Sequence, residues 1–261
     1  MEITSVQNAL VKAAADLKQK KYRLERQLFL AEGLRTVEEA IGSESVEQIF
    51  YTAIEDERTR RVLETAAEKG VALYCVSESV MKKISDTDSP QGIVAVCKMQ
   101  SVKLESLFAT GNMLLVLDRV ADPGNVGTML RTADAAGIGG IVLLKGCVDI
   151  YAPKTVRSTM GSLFHVPVFA GADEAQFVKA AKRAGYELLV TSLEGADNLY
   201  KADLRGRLAF VMGNEANGVT ETLLAEADKR VYIPMAGRAE SLNVAMAAGI
   251  VMFEALRRKL K

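Results

Sequence analysis

Leu10, Ala14, Leu17, Leu24 and Leu28 recur at helical spacing and predict one long helix from about Ser5 to Leu28. After it, a short apolar run at Leu28 to Ala31 reads as a strand, Leu34 to Ile41 as a helix, and Val46 to Thr52 as a second strand. A charged helix follows from Glu55 to Lys69, and Val71 to Val76 and Gly92 to Cys97 read as further strands. This is a small α/β unit ending near Lys98. Residues 100–112 mix polar side chains with scattered apolar ones and close on Gly111-Asn112, the composition of a connector. Beyond it the pattern becomes regular. Met113–Leu117, Ile141–Leu144, Val166–Phe169, Glu187–Thr191, Leu208–Met212 and Val231–Ile233 read as strands, most of them too apolar to have one face in water. Helical patterns lie between them at 126–136, 153–161, 172–185 and 220–227, with a last one from Leu242 to Lys259. The fold class is therefore α/β, a mainly parallel sheet with helices on both faces preceded by a small N-terminal α/β domain. The boundaries are 1–99 for the first domain, 100–112 for the linker and 113–261 for the second domain.

With 261 residues, 49% of them apolar, the chain can bury a sizeable core. Its 33 basic and 33 acidic residues cancel, so no global charge announces a nucleic-acid partner, and any such binding uses local patches. One candidate is the basic side of the first helix, where Lys18, Lys20, Lys21, Arg23 and Arg26 either meet phosphates or form a solvated face. Cys75, Cys97 and Cys147 have neither metal-ligand nor redox spacing, which fits a reduced cytoplasmic protein. The N-terminus has no basic region leading into an apolar core, and the longest apolar stretch, 242–253, is interrupted by Asn243 and Gly249. Neither secretion nor a membrane span is expected.

Three polar clusters stand where an apolar run ends or a helix begins, the edge at which open α/β sheets bind ligands. The first is Asp122-Pro123-Gly124-Asn125-Val126-Gly127 with Arg131. Asn125 is placed to cap a helix, and Arg131 lies between one and two turns into it; by themselves these are a cap and a surface ion-pair partner. In the second cluster, Met212-Gly213-Asn214-Glu215, the glycine follows a strand and lets a ligand approach the backbone, and Glu215 is a carboxylate at a strand's carboxyl end. An ordinary turn is the competing reading. The third joins Ile233-Pro234-Met235 to Ser241-Leu242-Asn243. Ser241 is a candidate cap for the last helix, and Asn243 sits in an apolar run where a buried amide needs partners or costs on the order of 1–3 kcal/mol.

Gly137-Ile138-Gly139-Gly140 follows a helix and precedes a strand, the reverse of a dinucleotide loop, and reads as a helix C-cap. The single histidine, His165, has apolar neighbours and no partners placed for a triad, so it reads as structural. A nucleotide-dependent oxidoreductase is excluded because no strand is followed by a glycine-rich fingerprint opening a helix.

In order and spacing, Asn125 with Arg131, Gly213-Asn214-Glu215, and Ile233-Pro234-Met235 with Ser241-Leu242-Asn243 resemble the three motifs of the SpoU (TrmH-type) family of RNA 2′-O-ribose methyltransferases. The resemblance spans about Met113 to Lys261. The first half resembles the small substrate-binding domain, related to a ribosomal-protein fold, that precedes the catalytic domain in the ribosomal RNA branch of that family. Ala216 and Ala245 depart from the family pattern, where glycine and serine are common, and put only local loop shape in question.

The resemblance implies a SPOUT domain whose C-terminal part forms a trefoil knot and binds S-adenosylmethionine. By motif position Gly213, Ile233 and Leu242 belong to the cofactor pocket, and Asn125, Arg131, Glu215, Ser241 and Asn243 to the reaction site, with no metal. It further implies a homodimer in which Arg131 of one subunit acts near the cofactor of the other. The reaction aligns a ribose oxygen with a sulfonium methyl group and stabilises developing negative charge. A guanidinium is a poor base, so the expected role of Arg131 is to bind a phosphate or stabilise the forming alkoxide. Ser241 and Asn243 would position the ribose, and Glu215 would orient Arg131 or Asn125. The expected substrate is 23S-type ribosomal RNA; the alternatives are transfer RNA 2′-O-methylation and a non-catalytic RNA-binding or ribosome-assembly protein that kept the fold.

Overall fold

The basic segment read as one helix is two, α1 (Ala9–Asp16) and α2 (Lys20–Arg26). Asn8 caps α1 with its side-chain oxygen. The chain then turns because the buried guanidinium of Arg23 reaches back, its Nη1 donating to the carbonyls of Leu17 and Lys18 at 2.8 and 2.7 Å. One cation thus satisfies helix-end acceptors that have no intrahelical partner. Gln27, in the left-handed region at φ 55°, ends α2. The computed structural model describes residues 2–53, 56–192 and 194–260, so the predicted helix start at Glu55 lies outside the described residues.

The first half continues with β1 (Leu28–Glu32), α3 (Leu34–Gly42), β2 (Val46–Tyr51), α4 (Glu57–Glu68), β3 (Ala72–Cys75), α5 (Glu78–Ile84) and β4 (Ile93–Lys98). The strands form a sheet in the order β1-β4-β2-β3, with β4 antiparallel to both its neighbours and β2 parallel to β3. The sequence pattern did not predict α5, because seven residues are too few to display a period; its Val80, Met81 and Ile84 share a core with Val11, Ala14 and Leu17 of the first helical segment.

Residues 100–112 are no mere connector. They contain α6 (Leu104–Leu107), and Leu104, Leu107 and Phe108 are buried with Phe177 and Tyr186 in the core of the second half. There follow β5 (Met113–Leu117), α7 (Pro123–Ala135), β6 (Gly140–Leu144), α8 (Pro153–Ser158), β7 (Val168–Ala172) and α9 (Glu174–Arg183). The chain closes with β8 (Glu187–Thr191), β9 (Asp197–Asn198), β10 (Leu208–Met212), α10 (Glu221–Ala225), β11 (Lys229–Tyr232) and α11 (Val244–Lys259). The seven strands are all parallel, in the order β7-β6-β5-β10-β8-β11-β9. Val116, Val142, Val190 and Val211 face one core with α6, α9 and α10. Leu115, Leu189 and Phe210 alternate with them and are equally buried, which is why these strands read as continuous apolar runs. α11 packs on α7 and β10.

Contacts divide the chain into two compact units, one running to Gln100 and including Asp149–His165, the other made of Ser101–Val148 and residues from Val166 onward. The stretch 149–165, with α8, was assigned by sequence to the second domain and instead packs in the first unit. There Arg23 pairs with Asp149 at 2.6 Å, and the Phe29 ring lies against those of Tyr151 and Phe164 at centroid distances of 4.8 and 5.9 Å. Among the described residues no helix is long and apolar enough to cross a membrane, and the three cysteines are free thiols.

Candidate active site

β5 and β10 lie side by side with Met212 opposite Leu117, and the amide of Asp118 bonds the carbonyl of Met212 at 2.9 Å. From β5 the chain moves outward through β6 to β7, then crosses to β8 and β10 on the other side. The order therefore reverses between β5 and β10, the switch point where a doubly wound sheet opens a crevice at its carboxyl edge. The loops after these two strands carry the first two polar clusters; the third follows β11 and leads into α11.

Within this edge Asn125, Glu215 and Asn243, far apart in sequence, form one hydrogen-bonded chain. Asn243 Nδ2 donates to Asn125 Oδ1 at 2.9 Å, and Asn125 Nδ2 donates to Glu215 Oε1 at 2.8 Å. Two expected helix caps are corrected by this geometry. Asp122, not Asn125, caps α7: its Oδ1 accepts from the Asn125 amide at 2.7 Å, and Pro123, which has no N–H to satisfy, takes the first helical position. Asn243, not Ser241, caps α11, accepting from the amides of Ala245 and Met246 at 3.0 and 3.3 Å. Nor is Asn243 buried; α11 begins one residue after it, so the residue stands exposed ahead of the buried stripe.

A second network, missed by the sequence reading, holds these loops in place. Asp118 is 2% exposed, accepts from Arg119 Nε at 3.0 Å and takes the Thr220 amide at 2.8 Å. Arg119, in the left-handed region at φ 54°, donates Nη2 to the Gly218 carbonyl at 3.3 Å, and its own carbonyl accepts from Asn214 Nδ2 at 2.8 Å. The bond to Asp118 raises the pKa of the Arg119 guanidinium and keeps it charged. Asn214 Oδ1 in turn gathers the amides of Ala216 and Asn217, both at 3.0 Å, in a turn closed by Asn214 and Gly218. The Gly-Asn turn of the plainer reading exists, and it presents Glu215. A lone aspartate directly after an apolar strand was the only trace of this network in the sequence.

Beside the amide chain lies a cavity of about 420 Å³, whose apolar wall includes Val219, Leu224, Val231, Ile233 and Leu242 and whose polar groups include Thr191, Ser192, Asn217 and Ser241. Glu194 and Glu240 add carboxylates. Two expected cofactor residues, Ile233 and Leu242, and one expected reaction-site residue, Ser241, thus line one space. Gly213 does not line it. A Cβ at Gly213 would lie 2.3 Å from the Gly218 carbonyl carbon and 2.4 Å from the Val219 nitrogen, so the glycine makes room for the chain's own backbone. Gly218 and Val219, which it admits, are the lining residues. The donor set suits a nucleoside joined to a cationic amino acid: apolar walls for a purine face, hydroxyls and an amide for polar edges, carboxylates for positive groups.

Arg131 is exposed on α7 and has no hydrogen bond or ion pair among the described residues, contrary to its reading as a surface ion-pair partner. His165 bonds Glu39 at 3.0 Å in the first unit, away from the amide chain in sequence and unit alike.

Residues 112–253 match the model of the SpoU rRNA Methylase family, and residues 8–95 match that of the MRM3-like substrate binding domain. Among curated proteins, the chain is 38% identical over 252 residues to the 23S rRNA (guanosine(2553)-2'-O)-methyltransferase RlmP of Bacillus subtilis (strain 168), covering 97% of this chain and 98% of that protein. It is 32% identical over 207 residues to the 23S rRNA (uridine(2479)-2'-O)-methyltransferase of Streptomyces viridochromogenes, covering 77% and 71% respectively. Among solved structures, an AdoMet-bound rRNA methyltransferase from Sinorhizobium meliloti superposes with a TM-score of 0.89 at 36% identity, covering 100% of this chain and 99% of that one.

Proposed function

Because the chain belongs to the SpoU rRNA methylase family, we propose that it transfers a methyl group from S-adenosylmethionine to a ribose 2′-hydroxyl of 23S ribosomal RNA. The observation that carries the reading is the Asn243–Asn125–Glu215 chain, adjoining in sequence the residues that line the cavity. The relatives described above act on ribosomal RNA by name, and the transfer RNA alternative is not favoured. An intact amide chain argues against a non-catalytic protein that merely kept the fold.

When bound, the cofactor would supply an electrophilic methyl group on a sulfonium centre; the ribose oxygen would gain the methyl as the carbon–sulfur bond breaks to leave a neutral thioether, and the hydroxyl proton would pass to solvent water. The protein's part is placement. Asn243 is held by the first turn of α11, Asn125 by the first turn of α7, and Glu215 fixes the Asn125 amide so that each side-chain amide keeps one N–H for the ribose. Neutral donors held in advance stabilise the developing alkoxide without reorganisation. Ser241 and Leu242 present one edge of the cavity, Gly218 and Val219 another.

Arg131, without a hydrogen bond or ion pair among the described residues, is assigned to the site of a second subunit, where it meets a phosphate or the forming alkoxide. Met246 and Phe253, exposed by 60% and 46% on one face of α11, give the dimer an apolar contact. The first unit is read as the RNA substrate-binding domain, the C-terminal segment as the family's trefoil knot, and the working compartment as the cytoplasm.

The deciding experiment is transfer of a labelled methyl group to 23S rRNA followed by digestion to nucleosides. A 2′-O-methylated nucleoside is expected; label on a base, or on transfer RNA alone, overturns the reading. Mixed dimers test Arg131. Arg131→Ala and Asn125→Ala homodimers are each expected to be inactive, and mixing the two is expected to restore activity, because one site of each heterodimer pairs an intact Asn125 with the partner's intact arginine. Absence of complementation, with heterodimers verified by tag pull-down, removes the cross-subunit role.

A further inference from the structure

The basic segment of the sequence is only partly absorbed by the fold. Arg23 is buried against Asp149, and Arg26 donates to the Ala13 carbonyl and to Asp16 at 2.7 and 3.0 Å. Lys18, Lys20 and Lys21 remain; α5, whose last turn carries Lys82 and Lys83, packs on α1, and Lys83 lies close enough to Lys18 to act on its charge. Lys18 feels that neighbourhood: burial lowers its pKa, Asp86 opposes the fall, and the positive charge of Lys83 adds to it. None of these five lysines has an ion pair or a side-chain hydrogen bond among the described residues. Exposed cations elsewhere are divided: Arg58 pairs with Glu38, Lys145 with Asp173 and Lys182 with Glu226, whereas Lys103, Lys179, Lys201 and Lys259 have no ion pair among the described residues.

The turns bearing these lysines are anchored from beneath. Arg23 ties the Leu17–Gln19 turn to Asp149. The end of α5 is held by Glu32, 7% exposed, which accepts from the hydroxyls of Ser85 and Thr87 and from the Asp86 amide at 3.2 Å. Arg157 of α8 stands 3.5 Å from Glu32 and bonds Asp86 at 3.0 Å. Asp86 and Glu32 act on Lys18 from nearby, but none of the five lysines makes a direct ion pair among the described residues, and such a cluster on anchored turns, in a chain of zero net charge, suits a polyanion with closely spaced fixed charges.

Resting on the function proposed above, we propose that Lys18, Lys20, Lys21, Lys82 and Lys83 form one surface that grips the phosphate backbone of the ribosomal RNA substrate. Such contacts set register and affinity without reading sequence.

The test is the salt dependence of binding to a 23S rRNA fragment by the full-length protein. With Lys20, Lys21, Lys82 and Lys83 all replaced by Gln, the slope of log affinity against log salt is expected to fall by about 3, and affinity at low salt by roughly tenfold or more. The same number of Lys→Gln changes at Lys103, Lys179, Lys201 and Lys259 in the other unit is expected to leave the slope near the wild type's. A quadruple Lys→Arg variant keeps the charge and is expected to bind as the wild type does. An unchanged slope in the first variant, an equal fall in the control, or failure of the Arg variant to bind overturns the proposal. So does a loss of binding to phosphatidylglycerol vesicles with rRNA binding intact, which assigns the surface to a membrane. If the wild type methylates no rRNA, the function reading falls by itself, because the slope is read from binding alone.

Discussion

Each unit of this molecule holds a working loop with a buried carboxylate, and the two carboxylates do different work. Asp118 ties two loops of the second unit together through Arg119 and the Thr220 amide, and what those loops present is a chain of side chains already bonded to one another at 2.8 and 2.9 Å. Glu32 ties the end of α5 through hydroxyls, an amide and Arg157, and the lysines of that turn, Lys82 and Lys83, have no ion pair or side-chain hydrogen bond among the described residues. Methyl transfer depends on ångström-level alignment, so its donors are locked before substrate arrives. Phosphate attraction acts over nearly a Debye length, so fixing the turn suffices and the lysine side chains stay free.

The largest effect that can break this contrast is expected from Asn125→Ala. Removing the middle of the amide chain is expected to lower methyl transfer by about 10²–10³-fold, with cofactor affinity, read by calorimetry, unchanged; full activity would show that the chain is structural. Next come the two carboxylates. Asp118→Ala leaves Arg119 and the Thr220 amide without their acceptor and is expected to cost on the order of 1–3 kcal/mol in urea denaturation, together with a loss of kcat. Glu32→Gln is expected to destabilise the chain comparably but to raise the KM for rRNA while sparing kcat. If both substitutions depress kcat alike, the units are not divided as described. The smallest effect concerns Glu254, whose carboxyl Arg257 and, second among the favourable contacts, Arg258 hold down at about 2 against an ordinary 4.5. A folded-state pKa below the unfolded one means stabilisation that is full above about 4.5 and lost as pH falls toward 2. Glu254→Gln is therefore expected to flatten the acid limb of the stability curve in that window, and an unaltered limb would show that the cluster adds nothing.

Legibility followed burial. Met113–Leu117, Glu187–Thr191 and Leu208–Met212 stand as strands where the apolar runs placed them, since a strand covered on both faces shows an unbroken apolar run, complete in Met113–Leu117 and Leu208–Met212 and central in Leu188–Val190. All three polar clusters fall at the carboxyl edge as their spacing suggested, and Ser241, Ile233 and Leu242 meet at one cavity. Helix ends were harder. Whether Asp122 or Asn125, Ser241 or Asn243, serves as the cap depends on backbone angles at single residues that composition does not express. Leu104, Leu107 and Phe108 were too sparse to display a period, though each is buried.

From the residues alone came the α/β class, the order of its strands along the chain, the family motifs and the chemistry those motifs imply. What waited for the tertiary structure was every pairing across long separations: Asn125 with Glu215 and Asn243, Asp118 with Thr220, Arg23 with Asp149, and the placing of residues 149–165 in the first unit. Periodicity and motif spacing report what a segment does by itself. A buried cation or carboxylate instead finds whichever partner the packed chain brings within hydrogen-bond reach, and leaving it without one would cost more than bending the chain to supply it.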